Sequence, residues 1–181
     1  METLLTPRLR LRPPRDEDAE ALSAGSNRLD VARWLIRVPH PNPPEAVRVF
    51  LARIRAEGAR VHVVDDGAPR GLVGLDPELG YWIAPEAQGL GYATEAAAAV
   101  VAEAFARGAE TLAAGHLVGN HRSARVLSRL GFRETGRGRV AVASTGEEAE
   151  QVEMALARAA FAAAAPGLPL TPAARSGIAA P

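Results

Sequence analysis

The stretch Gln88-Gly89-Leu90-Gly91-Tyr92-Ala93 joins a predicted strand to a predicted helix, and it is the most informative segment for predicting the architecture. The strand before it is Leu79-Gly80-Tyr81-Trp82-Ile83, and the alanine-rich helix after it runs from Thr94 to Arg107. The two glycines let the backbone approach a ligand and adopt dihedral angles that other residues avoid. Because the free N–H groups at a helix start carry partial positive charge, a phosphate group is the expected ligand.

The glycine-rich turn is compatible with more than one role. A tight connection between a strand and a helix also needs glycine, so the stretch alone leaves a purely structural role open. The chain contains no lysine, which excludes a Walker-type phosphate loop and a Schiff-base enzyme. Thr94 stands where the dinucleotide-binding fingerprint has its third glycine, and it fits that fingerprint poorly.

A second segment, Gly119 to Phe132, reads as a short helix with polar residues at its start. Asn120 or Ser123 could serve only as the N-cap of this helix. The combination is more specific than either segment. A strand, a phosphate-type turn, a helix, a further strand and an asparagine-led helix ending in Leu-Gly-Phe follow one another along the chain.

The rest of the chain supplies short strands and helices. Residues Arg8 to Arg12 alternate strictly and predict a strand with Leu9 and Leu11 facing the core. We expect the three arginines of this strand to form a solvated face, with an anion or partner site as the alternative. The other predicted elements are helices beginning at Asp16 and over Leu29–Ile36 and Glu45–Glu57, and strands over Val61–Val64, Gly71–Leu75, Thr111–Val118, Arg139–Ser144 and Gln151–Leu156.

The composition bounds the function. The 181 residues fit one domain, and a formal net charge of zero argues against a nucleic-acid binder. With no cysteine, disulfides, thiolate metal sites and cysteine nucleophiles are excluded, and the four histidines show no metal-binding spacing, so we expect no metal. The sequence shows no signal peptide and no membrane-spanning run, so we expect a cytoplasmic protein without a membrane partner.

The two segments together resemble the GNAT superfamily of acyl-CoA-dependent N-acetyltransferases. Gln88 to Ala93 fits the family's (Arg/Gln)-x-x-Gly-x-(Gly/Ala) motif at every defined position. The branch acting on the N-termini of ribosomal proteins is similar in further stretches, which are Thr6–Arg12, Gly80–Ile83, Ala93–Ala96, Asn120, Ser123, Leu130–Phe132 and Met154–Arg158. The resemblance covers roughly residues 3 to 161.

The resemblance implies an α/β (α+β) fold of the GNAT type. We expect a central mixed, mostly antiparallel twisted sheet of six to seven strands, with the fourth and fifth strands splayed apart, flanked by about four helices. Residues 1–161 would form the acetyltransferase domain, and residues 162–181, rich in alanine and proline, would form a disordered tail.

The resemblance also implies acetyl-CoA as acyl donor. Its pantetheine arm would enter between the splayed strands, and the N–H groups of the turn would hold its diphosphate. The residues that the resemblance assigns to this coenzyme are Ile83, Ala84, Gln88, Gly89, Leu90, Gly91, Tyr92, Ala93, Thr94, Asn120, Ser123 and Arg125. For Arg125 the role is contact with the 3′-phosphate, and ordinary solvation is the alternative.

The implied reaction is direct attack of a neutral amine on the thioester. Glu78 is the candidate base, acting through water, unless it is only a turn carboxylate. Leu127 stands where many family members have the tyrosine that protonates the leaving thiolate, so Ser123 becomes the candidate proton donor, beside Asn120. Trp34 and Tyr81 are the candidate acceptor-binding residues, and for Trp34 a role in the core is the alternative.

Three functions remain open at this point. The first is acetylation of a protein or peptide α-amine, the second is acetylation of a small-molecule amine, and the third is acyl-CoA binding without catalysis. A homodimer through an edge strand would suit this architecture.

Overall fold

The computed structural model describes residues 1–171, which form one eight-stranded sheet with helices packed on both faces. The strands are β1 (Leu4–Leu5), β2 (Arg10–Arg12), β3 (Arg60–Asp65), β4 (Pro69–Leu75), β5 (Leu79–Ile83), β6 (Thr111–Leu117), β7 (Arg133–Val142) and β8 (Glu147–Ala157). The helices are α1 (Ala19–Ser26), α2 (Leu29–Ala32), α3 (Pro44–Ala56), α4 (Tyr92–Ala106), α5 (His121–Leu130) and α6 (Arg158–Ala164). Short 3-10 turns lie over Asp16–Asp18, Pro85–Ala87 and Ala165–Gly167.

The strand order is β1-β2-β3-β4-β5-β6-β8-β7, and all neighbours are antiparallel except β5 and β6. The predicted fold class, a mixed and mostly antiparallel sheet of the GNAT type, is confirmed. The described residues add β1 to the seven predicted strands, because a two-residue strand is too short to show alternation. The helix predicted over 29–36 ends already at Ala32.

Two apolar clusters hold the helices against the sheet. On one face, α4 buries almost its whole length, and Phe105 at its end packs on Phe161 with ring centroids 5.6 Å apart. On the other face, Leu51 and Ile54 of α3 and Leu22 of α1 pack on Leu72 of β4. Alanine dominates α4, so this helix lies close to the strands and brings its N-terminus to the edge of the gap between β5 and β6.

Of the three N-terminal arginines predicted to form a solvated face, Arg8 and Arg10 are exposed and Arg12 is not. Arg12 is buried and binds two buried carboxylates, Asp18 (2.6 Å) and Asp65 (2.6 Å). The hydrogen bond to Asp18 is the main cause that raises the pKa of Arg12 above its ordinary value. The prediction is wrong for Arg12 because alternation tells only which side of a strand faces the core, and at this position the outer side is covered by the turn that carries Asp18.

The chain stays ordered beyond the predicted domain end at residue 161. Helix α6 ends at Ala164, a 3-10 turn follows, and Ala165, Leu168 and Leu170 are buried in the cluster that contains Phe161. Residues 162 to 170 of the predicted tail thus pack on the domain, because two leucines in an Ala/Pro-rich composition bury their side chains there. Residues 172–181 of the predicted tail lie outside the described residues.

None of the helices within residues 1–171 is long and apolar enough to cross a membrane.

Candidate active site

The sheet is split between β5 and β6. These parallel neighbours share a single paired position, Leu79 with Ala114, and β6 continues instead along β8. On the far side of β5, the N–H of Ala84 donates to the carbonyl oxygen of Arg70 at 2.7 Å. Because backbone groups alternate along an antiparallel ladder, the N–H of Ile83 points away from β4 and toward the gap. The fourth and fifth strands predicted from the sequence correspond to β5 and β6, so the gap between β5 and β6 is the predicted splay.

A cavity of about 1250 Å³ runs through this gap. Its lining includes most of the residues predicted from the sequence, namely Trp34, Glu78, Tyr81, Ile83, Gln88, Gly89, Gly91, Tyr92, Ala93, Thr94, Asn120, Ser123 and Arg125. Ala84 and Leu90 do not line it. Ala84 also uses its carbonyl oxygen, which accepts from the N–H of Ala87 at 2.9 Å, so it offers little to a ligand.

The glycine-rich turn presents a row of unused donors to this cavity. Gly89 (φ 80°) and Gly91 (φ 82°) have left-handed backbones, which favour glycine. Within residues 1–171, no acceptor takes the N–H groups from Gly89 to Thr94, and the first bond of α4 runs from Glu95 N to Gly91 O at 3.1 Å. A side chain added at Gly89 would meet open space. The turn is therefore open toward the cavity and has the features of an anion site.

Gln88 closes one side of the turn. Its Nε2 donates to the carbonyl oxygen of Ile83 at 3.0 Å, and its Oε1 accepts from Nη1 of Arg122 at the start of α5. The N–H of Gln88 donates to Pro85. Gln88 thus acts as a bridge between β5 and α5, and Arg122 adds a cavity-lining guanidinium that the sequence pattern does not single out.

Polar groups meet at the start of α5. Asn120 caps this helix, since its Oδ1 accepts from the N–H of Ser123 at 3.1 Å. The Ser123 Oγ lies 3.0 Å from the Tyr81 hydroxyl, which also contacts the Ser123 carbonyl oxygen at 3.3 Å. Burial raises the pKa of Tyr81 well above its ordinary value, so its hydroxyl stays protonated. Leu127 is fully buried in the core.

The other end of the cavity is more apolar. Trp34 lies over the turn after β6, where a side chain at Gly119 would be 3.7 Å from its ring. Glu78 is exposed and its carboxylate has no hydrogen-bond or ion-pair partner within residues 1–171. The tip of the β7–β8 hairpin binds the segment after α2 through Ala143 N to Ile36 O (2.8 Å). This contact closes one rim of the cavity.

The described residues contain no cluster of three or more histidine, aspartate or glutamate side chains suited to hold a metal.

A split sheet whose gap faces an open, amide-rich helix start suits a ligand that carries an anionic group on an extended arm. The chain is an acyl-group transferase, because it belongs to the Acetyltransferase (GNAT) domain family, whose model matches residues 8–133.

Named relatives agree with this family. Over 146 residues the chain is 28% identical to "Putative ribosomal N-acetyltransferase YdaF" of Bacillus subtilis (strain 168), covering 72% of this chain and 80% of YdaF. The resemblance to the ribosomal-protein branch that the sequence motifs indicate is confirmed by this relative.

Solved structures share the fold. RimJ of Mycobacterium smegmatis, solved with CoA-disulfide, matches with a TM-score of 0.72 and 24% identity over 98% of this chain and 91% of its own. The ribosomal-protein-S5-alanine acetyltransferase of Vibrio fischeri matches with a TM-score of 0.71 and 21% identity over 87% of this chain and 97% of its own.

Two features of the site escape prediction from the sequence. Tyr81, which is predicted to contact the acceptor, lines the cavity, and its hydroxyl also lies against Ser123 beside the gap. Arg8, 87 residues from Glu95 in the chain, binds that carboxylate next to the glycine-rich turn. Neither contact can be predicted from the glycine-rich turn or from the start of α5, because each contact joins segments that are far apart in the sequence.

Proposed function

We propose that this acetyltransferase transfers the acetyl group of acetyl-CoA to the α-amine of a protein or peptide, by direct attack in a ternary complex. The observation that carries the proposal is the row of unused N–H groups from Gly89 to Thr94 beside the gap between β5 and β6. A diphosphate matches the donors, and an extended pantetheine arm matches the free edge of a strand.

Particular residues would hold the donor. The N–H groups of Gly89 to Thr94 would bind the diphosphate, and the N–H of Ile83 would bond to the pantetheine arm or polarise the thioester carbonyl. Asn120 retains its Nδ2 for a ligand because only its Oδ1 serves the helix cap. Arg125 is exposed on α5, lines the cavity and has no hydrogen-bond or ion-pair partner within the described chain, as contact with a 3′-phosphate would require.

The acceptor is inferred from the weakness of the available base. Glu78 is exposed, and an exposed carboxylate is a poor base for a lysine side chain of pKa about 10.4. An α-amine with a pKa of about 7.7–8.0 is roughly a quarter neutral near pH 7.4 and needs little help. Glu78 would take the remaining proton through water, and Trp34 would contact the residue that carries the amine.

The leaving thiolate needs a proton when the carbon–sulfur bond breaks. Ser123 would supply it from Oγ, which shares a hydrogen bond with the Tyr81 hydroxyl at 3.0 Å. The Tyr81 hydroxyl also donates to the Ser123 carbonyl oxygen at 3.3 Å, so its hydrogen would turn to Oγ when the Ser123 hydrogen moves to the sulfur. This pair would take over the role that Leu127 cannot perform.

The names of the relatives support a proteinaceous acceptor. YdaF is named for ribosomal N-acetylation, and the Vibrio fischeri protein is described as acting on alanine of ribosomal protein S5. We infer the same class of acceptor here, a protein N-terminus exposed on an assembling or free polypeptide.

The test has two stages. First, acetyl-CoA at about 100 times its Kd should stabilise the protein by ~2.7 kcal/mol, read as a rise in Tm. Second, thiol release from acetyl-CoA should be followed with a short peptide that carries a free α-amine. Both this peptide and its matched control contain an internal lysine, and the control differs only in having an acetylated N-terminus. A panel of small amines is run in parallel.

The outcomes separate the alternatives. Release that requires the free α-amine supports the proposal. Release with small amines alone shows a small-molecule acetyltransferase, and a Tm shift without turnover on any amine contradicts the proposed reaction. No Tm shift at a saturating concentration rejects acetyl-CoA as the donor.

A further inference from the structure

Arg8 and Glu95 form a contact directly behind the glycine-rich turn. Glu95 is fully buried in the first turn of α4, and its Oε2 binds Arg8 through Nε (2.7 Å) and Nη2 (2.6 Å). Its Oε1 accepts from the Arg8 N–H at 2.9 Å and from the Thr6 hydroxyl at 2.6 Å. Three hydrogen bonds and one further ion-pair contact therefore fix this carboxylate and, with it, the direction of the Arg8 side chain.

The remaining arm of Arg8 reaches the turn itself. Nη1 donates to the carbonyl oxygen of Leu90 at 2.8 Å, and the guanidinium lies 5.0 Å from the centre of the Tyr92 ring. Nη2 is 3.4 Å from the position that a side chain at Gly91 would occupy. Arg8 thus contacts the turn between the two glycines that give it its left-handed backbone.

This contact has a consequence for the donors. In a planar trans peptide, the carbonyl of Leu90 and the N–H of Gly91 belong to one unit and point in opposite directions. Holding the Leu90 oxygen on Arg8 therefore aims the Gly91 N–H to the opposite side. Gly89 and Gly91 lie on either side of Leu90, and their backbones rotate with little hindrance because they carry no side chain. The turn itself therefore does little to fix the direction of this peptide.

The positive charge of Arg8 also favours binding of an anion at the turn. Glu95 places a carboxylate in the first turn of the helix whose start is the anion site, and an uncompensated negative charge there would repel a diphosphate. Arg8 neutralises that charge, while Leu90 itself, half-exposed and outside the cavity lining, contributes only its carbonyl.

We infer that Arg8 is a positioning residue of the coenzyme site: buried Glu95 orients it, and it fixes the Leu90–Gly91 peptide so that the turn can bind the diphosphate of the acyl donor. The inference rests on the proposed use of acetyl-CoA. It assigns a function to the first arginine of the N-terminal strand motif.

The experiment compares two acyl donors on Arg8→Gln. Acetyl-CoA contains the diphosphate, and S-acetylpantetheine has the same thioester and pantetheine arm without it. We expect KM for acetyl-CoA to rise roughly tenfold or more, the loss typical of a hydrogen bond to a charged group. We expect kcat at saturation, and kcat/KM for S-acetylpantetheine, to stay within about twofold of the wild type, because the reacting groups are untouched.

Two further variants control the result. Arg10→Gln removes a neighbouring arginine of the same segment, which pairs with Asp65 at 3.4 Å and does not touch the turn, so its KM for acetyl-CoA should not change. In Arg8→Gln the buried Glu95 carboxylate loses its cation, which should lower Tm. The double variant Arg8→Gln/Glu95→Gln removes that carboxylate charge as well, so it should recover Tm while keeping the high KM.

The results that overturn the inference are distinct from those that reject the proposed function. An unchanged KM in Arg8→Gln, an equal loss with both donors, or a wild-type KM in the double variant each contradicts the positioning role. Failure of the wild-type protein to bind acetyl-CoA rejects the donor assignment and the inference together, and it is visible before any variant is made.

Discussion

The hydroxyl of Tyr81 on β5 lies 3.0 Å from the Oγ of Ser123 on α5, across the gap that divides the sheet. The two residues are 42 positions apart in the chain, and the contact exists because β5 and α5 both face the gap. In the proposed reaction, this pair of hydroxyl groups would face the leaving thiol.

Replacing Tyr81 by phenylalanine should slow acetyl transfer without weakening donor binding. Loss of one hydrogen bond of about 1 kcal/mol predicts a decrease in kcat of roughly fivefold, with KM for acetyl-CoA unchanged. Ser123→Ala should reduce kcat further. If Tyr81 acts through Ser123, the double variant should be no slower than Ser123→Ala, and additive losses in steady-state kinetics would refute the coupling.

Gly91→Ala and Gly108→Ala place the same strain at opposite ends of α4. Their φ angles are 82° and 98°, so each alanine should cost roughly 1–2 kcal/mol of stability. Only the Gly91 variant should also raise the Kd for acetyl-CoA, by roughly tenfold, since it alters the turn that carries the free donors. Chemical denaturation and calorimetric titration of the two variants check this, and equal Kd values would argue against the turn as the diphosphate site.

Arg12→Ala should destabilise the protein strongly. Removing this buried guanidinium leaves the buried Asp18 carboxylate without a cation and leaves Asp65 with only its longer contact to Arg10, so we expect a loss of about 3–5 kcal/mol. Arg139→Ala removes an exposed ion pair with Glu148 and should cost less than about 1 kcal/mol. Urea denaturation of both variants gives the two values, and similar losses would contradict the buried network.

His62 should make stability depend on pH. Burial lowers the pKa of its imidazole below the ordinary value, and its Nδ1 has no partner within residues 1–171. The unfolded chain then binds the proton first, so this contribution to stability is complete above about pH 6.5 and is lost as the pH falls toward the lower folded-state pKa.

The measurement is Tm between pH 7.5 and 5. The decrease in Tm over this range should be smaller in His62→Gln than in the wild type. His121→Gln, at an exposed position, should follow the wild-type curve. An unaltered decrease in the His62 variant would assign the pH dependence to other groups.

The sequence predicts the parts of the site that lie within one segment. The strand from Leu79 to Ile83 has the predicted bounds, and Asn120 caps α5 as one of the predicted alternatives. The glycine-rich turn from Gln88 to Ala93 can be predicted because glycine permits left-handed backbone angles whatever distant residues surround it. The fold class follows from the order of these segments.

Contacts between distant segments are beyond such prediction. Alternation places Leu9 and Leu11 in the core, yet it cannot tell that Asp18 and Asp65 enclose Arg12. The same limit applies to Leu168 and Leu170, whose burial depends on a surface built by α4 and α6. In each case a tertiary partner decides the environment of a residue whose local pattern is uninformative.

The single paired position between Leu79 and Ala114 bears on how fast the enzyme can cycle. An extended ligand that enters this opening would break almost no hydrogen bonds between β5 and β6. Its entry and exit would therefore not require local unfolding of the sheet. Helices packed on the sheet hold its two halves at their spacing, so we expect the opening to be present before the ligand enters.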